Sequence, residues 1–184
     1  MVTYKCMKNM KTDNLILRKL KNEDGVAYRC FAQEFTNADE PPILEGVLND
    51  GSFCDWLKKT IEHSKGINLE KGRVPSTQYY LFRVSDGKIV GTVDIRHKLN
   101  KTLLKLGGNI GYSVAPSERR KGHASFMLSE ALKICKKMGM EKVLVTCKVE
   151  NIGSAKTIQK NGGVLENEVI LDDGRTEQRY WINL

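Results

Sequence analysis

The stretch from Ser113 to Ser125 constrains this chain most, because it joins a strand to a helix through a short cationic loop. The residues of Asn109–Val114 include β-branched and aromatic side chains, which is typical of a strand. Pro116 has no backbone N–H and therefore ends that strand. Apolar residues then recur at helical spacing, which predicts a helix that begins near Gly122. The recurring residues are Ala124, Leu128, Ala131, Cys135 and Met138.

The loop between strand and helix has the composition of an anion-binding site. The start of a helix leaves four backbone N–H groups unpaired and carries partial positive charge. Gly122 has no Cβ and lets a ligand approach the backbone closely, and Arg119, Arg120 and Lys121 add full charges. A phosphate is the ligand that such a unit favours. The alternative is a solvated turn in which basic residues happen to cluster.

Several motifs that bind phosphate or carry out acyl chemistry are absent from the sequence. No G-x-x-x-x-G-K-[ST] occurs, and no G-x-G-x-x-G opens a βαβ unit. The G-x-S-x-G nucleophile elbow is also missing. An ordinary nucleotide fold and serine-nucleophile chemistry are therefore both disfavoured.

The net charge of +8 suits nucleic acid, membrane headgroups or a multiply phosphorylated cofactor as a partner. The cations are dispersed, and no aromatic-plus-basic RNA-binding signature is present, so we predict no nucleic-acid partner. No run approaches the roughly 20 apolar residues that span a bilayer, and the N-terminal Met1–Lys8 has no apolar signal core. We therefore predict no membrane partner and a cytoplasmic location.

The predicted elements form one mixed α/β domain over residues 1–184, since the length suits one core and no linker or internal repeat is present. The predicted strands are Leu15–Leu20, Gln78–Val84, Ile89–Arg96, Asn109–Val114, Lys142–Val149, Val164–Leu171 and Thr176–Asn183. Four helices are predicted. The first follows Asn22–Asp24, the second runs from about Ser52 to His63, the third begins near Gly122, and the fourth extends from Asn151 to Lys160.

The order of these elements predicts how the strands pair. Strands 78–84, 89–96 and 109–114 follow one another without an intervening helix, so this half of the sheet is expected to be antiparallel. Strand 142–149 follows a helix and is expected to lie parallel to strand 109–114. The irregular stretch from Thr36 to about Thr77, which includes Asp39–Pro42, is where we expect substrate selection.

The five cysteines are odd in number and contain no C-x-x-C pair, which favours incidental thiols over a disulfide framework or a metal site. They are Cys6, Cys30, Cys54, Cys135 and Cys147. Cys147 lies within a predicted strand rather than at a helix start, so a covalent acyl-cysteine route is disfavoured.

Two motifs together resemble a known family. Arg119-x-x-Gly122-x-Ala124 resembles the [Q/R]-x-x-G-x-[G/A] acyl-coenzyme A signature of the GNAT superfamily of N-acetyltransferases. One helix and one strand later, Asn151-x-x-Ser154-x-x-x-Ile158-x-Lys160 resembles the second GNAT block, N-x-x-S/A-x-x-x-Y-x-K. The joint match extends from about Leu15 to Leu184. It implies a GNAT fold, in which a mixed, mostly antiparallel twisted sheet is flanked by helices and two central parallel strands splay apart.

The resemblance also implies that the cofactor is acetyl-coenzyme A. The Val114 backbone would pair with the pantetheine arm, and its N–H would face the thioester oxygen. Backbone N–H groups from Arg120 to Ala124 would hold the pyrophosphate, and Asn151 would contact the other flank of the cofactor. The predicted cofactor-binding residues are Ser113, Val114, Arg119, Arg120, Lys121, Gly122, His123, Ala124, Ser125, Asn151 and Ser154. An ordinary helix N-cap is the alternative for Asn151 and Ser154.

The chain departs from the GNAT pattern at two positions. Ile158 stands where these enzymes often place a tyrosine that protonates the departing thiolate. Asn109 stands where a general-base carboxylate is frequent, and an amide accepts no proton at neutral pH. The candidate catalytic residues are therefore Asp94, acting through water, together with Asn109 and Ser154. For Asp94, a structural ion pair with Arg96 or a lysine is the alternative.

The activity implied is transfer of an acetyl group from acetyl-CoA to a primary amine of a small molecule or peptide, by direct attack in a ternary complex. A CoA-binding regulatory module with little or no catalysis is the second hypothesis, since Ile158 and Asn109 replace expected catalytic groups. An RNA- or ribosome-associated protein is the third, on the net charge alone. The sequence leaves the acceptor unidentified and a homodimer open.

Overall fold

The computed structural model describes residues 14–38 and 52–184. Seven strands and five helices are present in these ranges. The strands are β1 (Leu15–Arg18), β2 (Ser76–Arg83), β3 (Ile89–Arg96), β4 (Ile110–Val114), β5 (Lys142–Lys148), β6 (Val164–Ile170) and β7 (Thr176–Asn183). The helices are α1 (Gly25–Asn37), α2 (Phe53–Ser64), α3 (Lys101–Lys105), α4 (His123–Lys137) and α5 (Ile152–Lys160). The predicted segments Met1–Lys8 and Asp39–Pro42, as well as Cys6, lie outside the described residues.

The strands form two antiparallel sheets, of order β1-β2-β3-β4 and β5-β7-β6. The predicted antiparallel pairing of the first half is confirmed. The β2–β3 hairpin turns at Asp86 and Gly87, where Asp86 Oδ1 accepts a hydrogen bond from the Lys88 N–H at 3.1 Å and Gly87 has a φ of 67°. Because Gly lacks Cβ, it adopts this left-handed conformation without strain.

The helices cover the two faces of the first sheet because the strands alternate apolar side chains between them. Buried residues of α4 and α5, such as Leu128 and Ile158, pack with Val93 and Ile110 and with the inner face of the second sheet. On the opposite face, α1 and α2 pack through an aromatic cluster. That cluster includes Tyr28, Phe31, Phe35, Phe53 and Tyr80.

The observed elements differ from the predicted ones mainly at their ends. The first strand ends at Arg18 rather than Leu20, and β2 begins at Ser76 rather than Gln78. The connection from β3 to β4 contains the short helix α3, which sequence reasoning missed. Its cue was the N-cap Asn100, whose Oδ1 accepts a hydrogen bond from the Leu103 N–H at 2.9 Å.

The described cysteines are free, with Cys30 and Cys54 exposed and Cys135 and Cys147 buried. In the ranges 14–38 and 52–184, every helix is too short or too polar to cross a bilayer.

The two sheets meet where β4 and β5 begin. The Asn109 N–H donates to the Leu144 carbonyl at 2.7 Å, and the Leu144 N–H donates to Asn109 Oδ1 at 2.9 Å. Beyond this junction, no backbone hydrogen bond joins β4 to β5 within the described ranges. Tyr112, near the end of β4, instead bonds to Ser154, which follows the end of β5. The strands therefore run side by side and open into a gap, which we call the notch.

Candidate active site in the notch between the sheets

The edge of β4 presents backbone groups to the notch. The Ala115 N–H donates to the Val90 carbonyl and the Arg96 N–H donates to the Asn109 carbonyl, so the odd-numbered residues of β4 bond to β3. In an antiparallel ladder the intervening residues direct their N–H and C=O groups the other way. Tyr112 and Val114 thus present backbone groups to the notch. The Val114 carbonyl there accepts a hydrogen bond from Arg119 Nε at 3.4 Å.

The loop after β4 forms a cradle of backbone donors, which we define as residues 120–125. Among the described residues, none accepts a hydrogen bond from the backbone N–H groups of this segment. Arg120 and Gly122 both lie in the left-handed region, with φ of 62° and 85°. Left-handed residues in a turn are typical of anion-binding nests of backbone N–H groups. Gly122 is the N-cap of α4, as predicted. The cradle therefore combines free donors with the positive end of a helix dipole.

A buried carboxylate supports the cradle from below. Glu118 is 4% exposed, and its oxygens lie 2.8 Å from Lys121 Nζ, 3.1 Å from Arg83 Nη1 and 3.3 Å from Lys88 Nζ. Burial alone would raise the pKa of Glu118, but the hydrogen bonds from these three cations lower it to about 2. The Lys121 ammonium is thus held by Glu118, which fixes the loop.

His123 lies beneath the same loop rather than on its surface. Its side chain is 7% exposed, and Nε2 lies 3.7 Å from Glu118 Oε2, beyond hydrogen-bond length. Burial lowers the pKa of His123, because desolvation outweighs the attraction of Glu118. The imidazole is therefore neutral and faces inward. Of His123, only the backbone N–H lies in the cradle.

The second motif lines the opposite flank of the notch. Asn151 is the N-cap of α5, and its Oδ1 accepts a hydrogen bond from the Ser154 N–H at 3.0 Å, as the N-cap alternative predicts. Ser154 Oγ lies 2.8 Å from Tyr112 Oη, which links α5 to β4. Ile158 is fully buried in the hydrophobic core. The N-terminus of α5, which carries partial positive charge, therefore lies at the notch.

Two adjoining cavities occupy this region. The first, of about 310 Å³, is the notch itself, with Thr146, Lys148, Asn151 and Ser154 among its lining residues. The second, of about 500 Å³, lies beside β3, and we call it the side cavity. Arg96, Gly111 and Tyr112 line both. Residues of the irregular stretch before β2 also line the side cavity, among them His63, Leu69, Gly72, Arg73 and Val74.

Asp94 is the acid of the side cavity. Its Oδ2 lies 3.4 Å from Arg96 Nε, whereas its Oδ1 is buried without a hydrogen-bond partner among the described residues. Burial raises the pKa of Asp94, although the Arg96 charge opposes the change. Asp94 lies opposite Gly111 in the β3–β4 register. The structure thus brings the carboxylate to the side cavity while also forming the ion pair that was the alternative.

The Asn109 side chain forms hydrogen bonds in the junction between the sheets. It is 5% exposed, its Oδ1 accepts from the Leu144 N–H, and its Nδ2 donates to the Arg96 carbonyl at 3.4 Å. These contacts assign it a structural role. Its catalytic role remains a prediction, as do the roles predicted for the other site residues.

Sequence reasoning missed two residues that line the notch. Tyr112 reaches Ser154 across the gap, and burial raises its pKa to about 12. Glu177, the second residue of β7, is 5% exposed and also lines the notch. Tyr112 belongs to the strand motif and could have been suggested by its aromatic ring. Glu177 has no local signal, because only the pairing of β7 with β5 places it there.

Cys147 also lines the notch as a buried thiol. Burial raises its pKa, although a hydrogen bond to Ser154 opposes this. A thiol of raised pKa is a poor nucleophile at neutral pH. The environment of Cys147 therefore disfavours a covalent acyl-cysteine, as the sequence predicted.

Comparison with known proteins identifies the fold and the family. A family model described as an acetyltransferase (GNAT) domain matches residues 14–164. A search of curated proteins gave no match. Among solved structures, a ribosomal-protein-S5-alanine acetyltransferase from Vibrio fischeri is similar with a TM-score of 0.70 and 17% identity, covering 92% of each chain.

Two further structures are similar at a TM-score of 0.60. A chimera of spermidine N-acetyltransferase from Vibrio cholerae and hSSAT is 18% identical and covers 92% of this chain and 95% of its own. A GNAT-family acetyltransferase from Bacillus anthracis is 20% identical, with coverages of 92% and 94%. These likenesses show the fold, and the family model covers most of the sequence. The chain belongs to the GNAT acetyltransferase family.

Proposed function

We propose that this protein transfers an acetyl group from acetyl-CoA to a primary amine of a small molecule or peptide, by direct attack in a ternary complex within one domain. The observation that carries this proposal is the adjacency of a backbone anion cradle to a notch between two strands. A cofactor with phosphates at one end and a thin, extended arm needs both features. Family membership favours acetyl-CoA as that cofactor.

The residues of the chain fit acetyl-CoA on three counts. Backbone N–H groups of residues 120–125 lack protein acceptors within the described ranges and suit a pyrophosphate. Val114 directs its N–H into the notch, where an extended arm can pair with it. Asn151 and Ser154 would bound the other flank, while Arg119 at the Val114 carbonyl adds positive charge.

The notch and the side cavity together hold groups suited to the steps of the reaction. Acetyl-CoA supplies the acyl group as a thioester that an amine can attack directly. The Val114 N–H would stabilise negative charge on the acyl oxygen. Asp94, whose Oδ1 has no partner among the described residues, would take the proton from the amine through water. Tyr112 Oη retains its proton at neutral pH and would donate where Ile158 cannot.

The acceptor is either a small amine that fits the side cavity or the amino terminus of a peptide. The named neighbours include enzymes for spermidine and for the alanine of a ribosomal protein, which represent these two classes. A cavity of about 500 Å³ holds either a small polyamine or a few terminal residues of a peptide.

The test has two stages, binding and turnover. At 100 times its Kd, acetyl-CoA should stabilise the protein by about 2.7 kcal/mol, which raises Tm by roughly 5–10 °C. Free thiol is then followed with spermidine and with a peptide that begins with alanine. Amine-dependent thiol release supports the proposal.

Two other outcomes would contradict the proposal. Binding of acetyl-CoA without thiol release across a broad amine panel would favour the regulatory module instead. If millimolar acetyl-CoA neither raises Tm nor binds by calorimetry, the cofactor assignment is refuted.

A further inference from the structure

Glu177 is a buried carboxylate without a partner. It is 5% exposed, and no hydrogen bond or ion pair joins its side chain to the described residues. The nearest candidates are committed elsewhere or too distant. Arg175 pairs with Asp173 at 2.6 Å, and Lys148, opposite Glu177 in the β5–β7 register, does not come within ion-pair distance. Glu177 therefore faces the notch as an unpaired acid.

Glu177 differs from Glu118, the other buried glutamate of this region, in having no cationic partner. Glu118 is equally buried, but three ammonium or guanidinium groups surround it. Glu177 lacks such partners, and burial raises its pKa against the weaker pull of Arg175 and Lys148. The Glu177 carboxylate lines the notch without an ion-pair partner among the described residues, so it has room for a cation there. A positively charged ligand would supply that cation.

Glu177 lines the notch, whereas residues 120–125 of the cradle line neither the notch nor the side cavity. The cradle at the N-terminus of α4 favours anions, while Glu177 and Asp94 are the two acids that line the notch and the side cavity. Arg96, Gly111 and Tyr112 connect the two cavities. A cationic acceptor that enters from this side therefore meets an acid at each cavity.

We propose that Glu177 is an acceptor-binding residue whose carboxylate receives the positively charged ammonium group of the amine substrate in the notch. The inference rests on the proposed function and narrows its substrate class. Acceptors that are cations at neutral pH bind, whereas neutral acceptors such as alcohols do not. Asp94 remains the group that takes the proton before attack.

The test compares Glu177→Gln with Glu168→Gln, which removes an exposed carboxylate bonded to Gln178 on the adjacent strand. A charge-assisted hydrogen bond is worth about 1.5–3 kcal/mol, so Glu177→Gln should raise KM for the amine about 10–100-fold. Glu177→Asp should retain part of the affinity. The Kd for acetyl-CoA should stay the same in all three variants, as should every parameter of Glu168→Gln.

Stability separates this role from a structural one. Because Glu177→Gln removes an unpaired buried charge, its Tm should equal or exceed that of the wild type. A Tm lower by several degrees would show that Glu177 holds the fold and would overturn the proposal. An amine KM within twofold of the wild type would overturn it as well.

A binding experiment distinguishes failure of this inference from failure of the proposed function. If the wild type releases no thiol with any amine, the proposed function fails, and Glu177 is then tested with butylamine and its neutral isostere 1-butanol. Chemical-shift changes around the notch with butylamine alone, lost in Glu177→Gln, would support the cation site. Equal responses to both probes, or an unchanged response in the variant, would refute it.

Discussion

The lowered pKa of Glu118 gives the contribution of its ionised carboxylate to the free energy of unfolding. Its carboxylate has an ordinary pKa of 4.5, lowered to about 2 in the folded protein. One pKa unit corresponds to about 1.4 kcal/mol, so ionised Glu118 stabilises the fold by about 3 kcal/mol. Glu118→Gln should therefore lower the free energy of unfolding at pH 7 by about 3 kcal/mol, which reduces Tm by roughly 6–12 °C.

The pH dependence of this difference has a defined sign. The folded-state pKa lies below the unfolded-state value, so the stabilisation is fully present above about pH 4.5. It is lost as the pH falls toward 2, because the carboxylate becomes protonated in both states. The difference between wild type and Glu118→Gln should thus be constant from pH 7 to pH 5 and should shrink between pH 4.5 and pH 2.

The measurement is urea denaturation of both proteins across this pH range, with Glu168→Gln as a control. The exposed Glu168 should change stability by less than about 0.5 kcal/mol. A difference below about 1 kcal/mol at pH 7 would refute the proposed role of Glu118. A difference that persists unchanged at pH 2 would refute its electrostatic origin.

The remaining predictions concern the junction, the base and the cradle. Asn109→Ala leaves the buried Leu144 N–H without its acceptor and should lower the free energy of unfolding by about 1–3 kcal/mol in urea denaturation; an unchanged midpoint would contradict this. Asp94→Asn should reduce kcat at least 100-fold without changing the Kd for acetyl-CoA, and an undiminished kcat would exclude Asp94 as the base. Gly122→Ala should weaken acetyl-CoA binding more than tenfold by calorimetry. The control is Gly139→Ala, which has a similar positive φ and equally open surroundings and should lower only the free energy of unfolding, by about 1 kcal/mol, as the backbone strain of Gly122→Ala also does. Equal Kd values for both variants would place the ligand elsewhere.

The sequence predicted most of the elements because their signals are local. Runs of β-branched and aromatic residues predicted β2 and β3, and the glycine before a helical apolar pattern predicted that α4 starts near Gly122. Ends were less accurate. Leu20 is apolar but has no ladder partner, and the Val84 N–H donates to the Asn14 carbonyl at 2.8 Å although β2 ends at Arg83. The helix α3 was missed because five residues are too short for a periodic pattern.

The candidate site was predictable only in part. The cationic loop and the Asn151 cap are contiguous motifs, so their residue types and spacing could be read directly. The pairing of buried Glu118 with Arg83 and Lys88 could not, because these two cations lie 35 and 30 residues earlier in the sequence.

The sequence by itself determined the family, the order of the elements and the segment that offers donors to an anion. Only the tertiary structure decided which side chains face the notch. Asn109 became a bridge because Leu144, 35 residues away, needs its amide. Glu177 lines the notch because β7 lies beside β5, although its side chain forms no ion pair with the Lys148 opposite it. Burial and pairing depend on contacts between distant segments, and they decide which polar groups are available for chemistry.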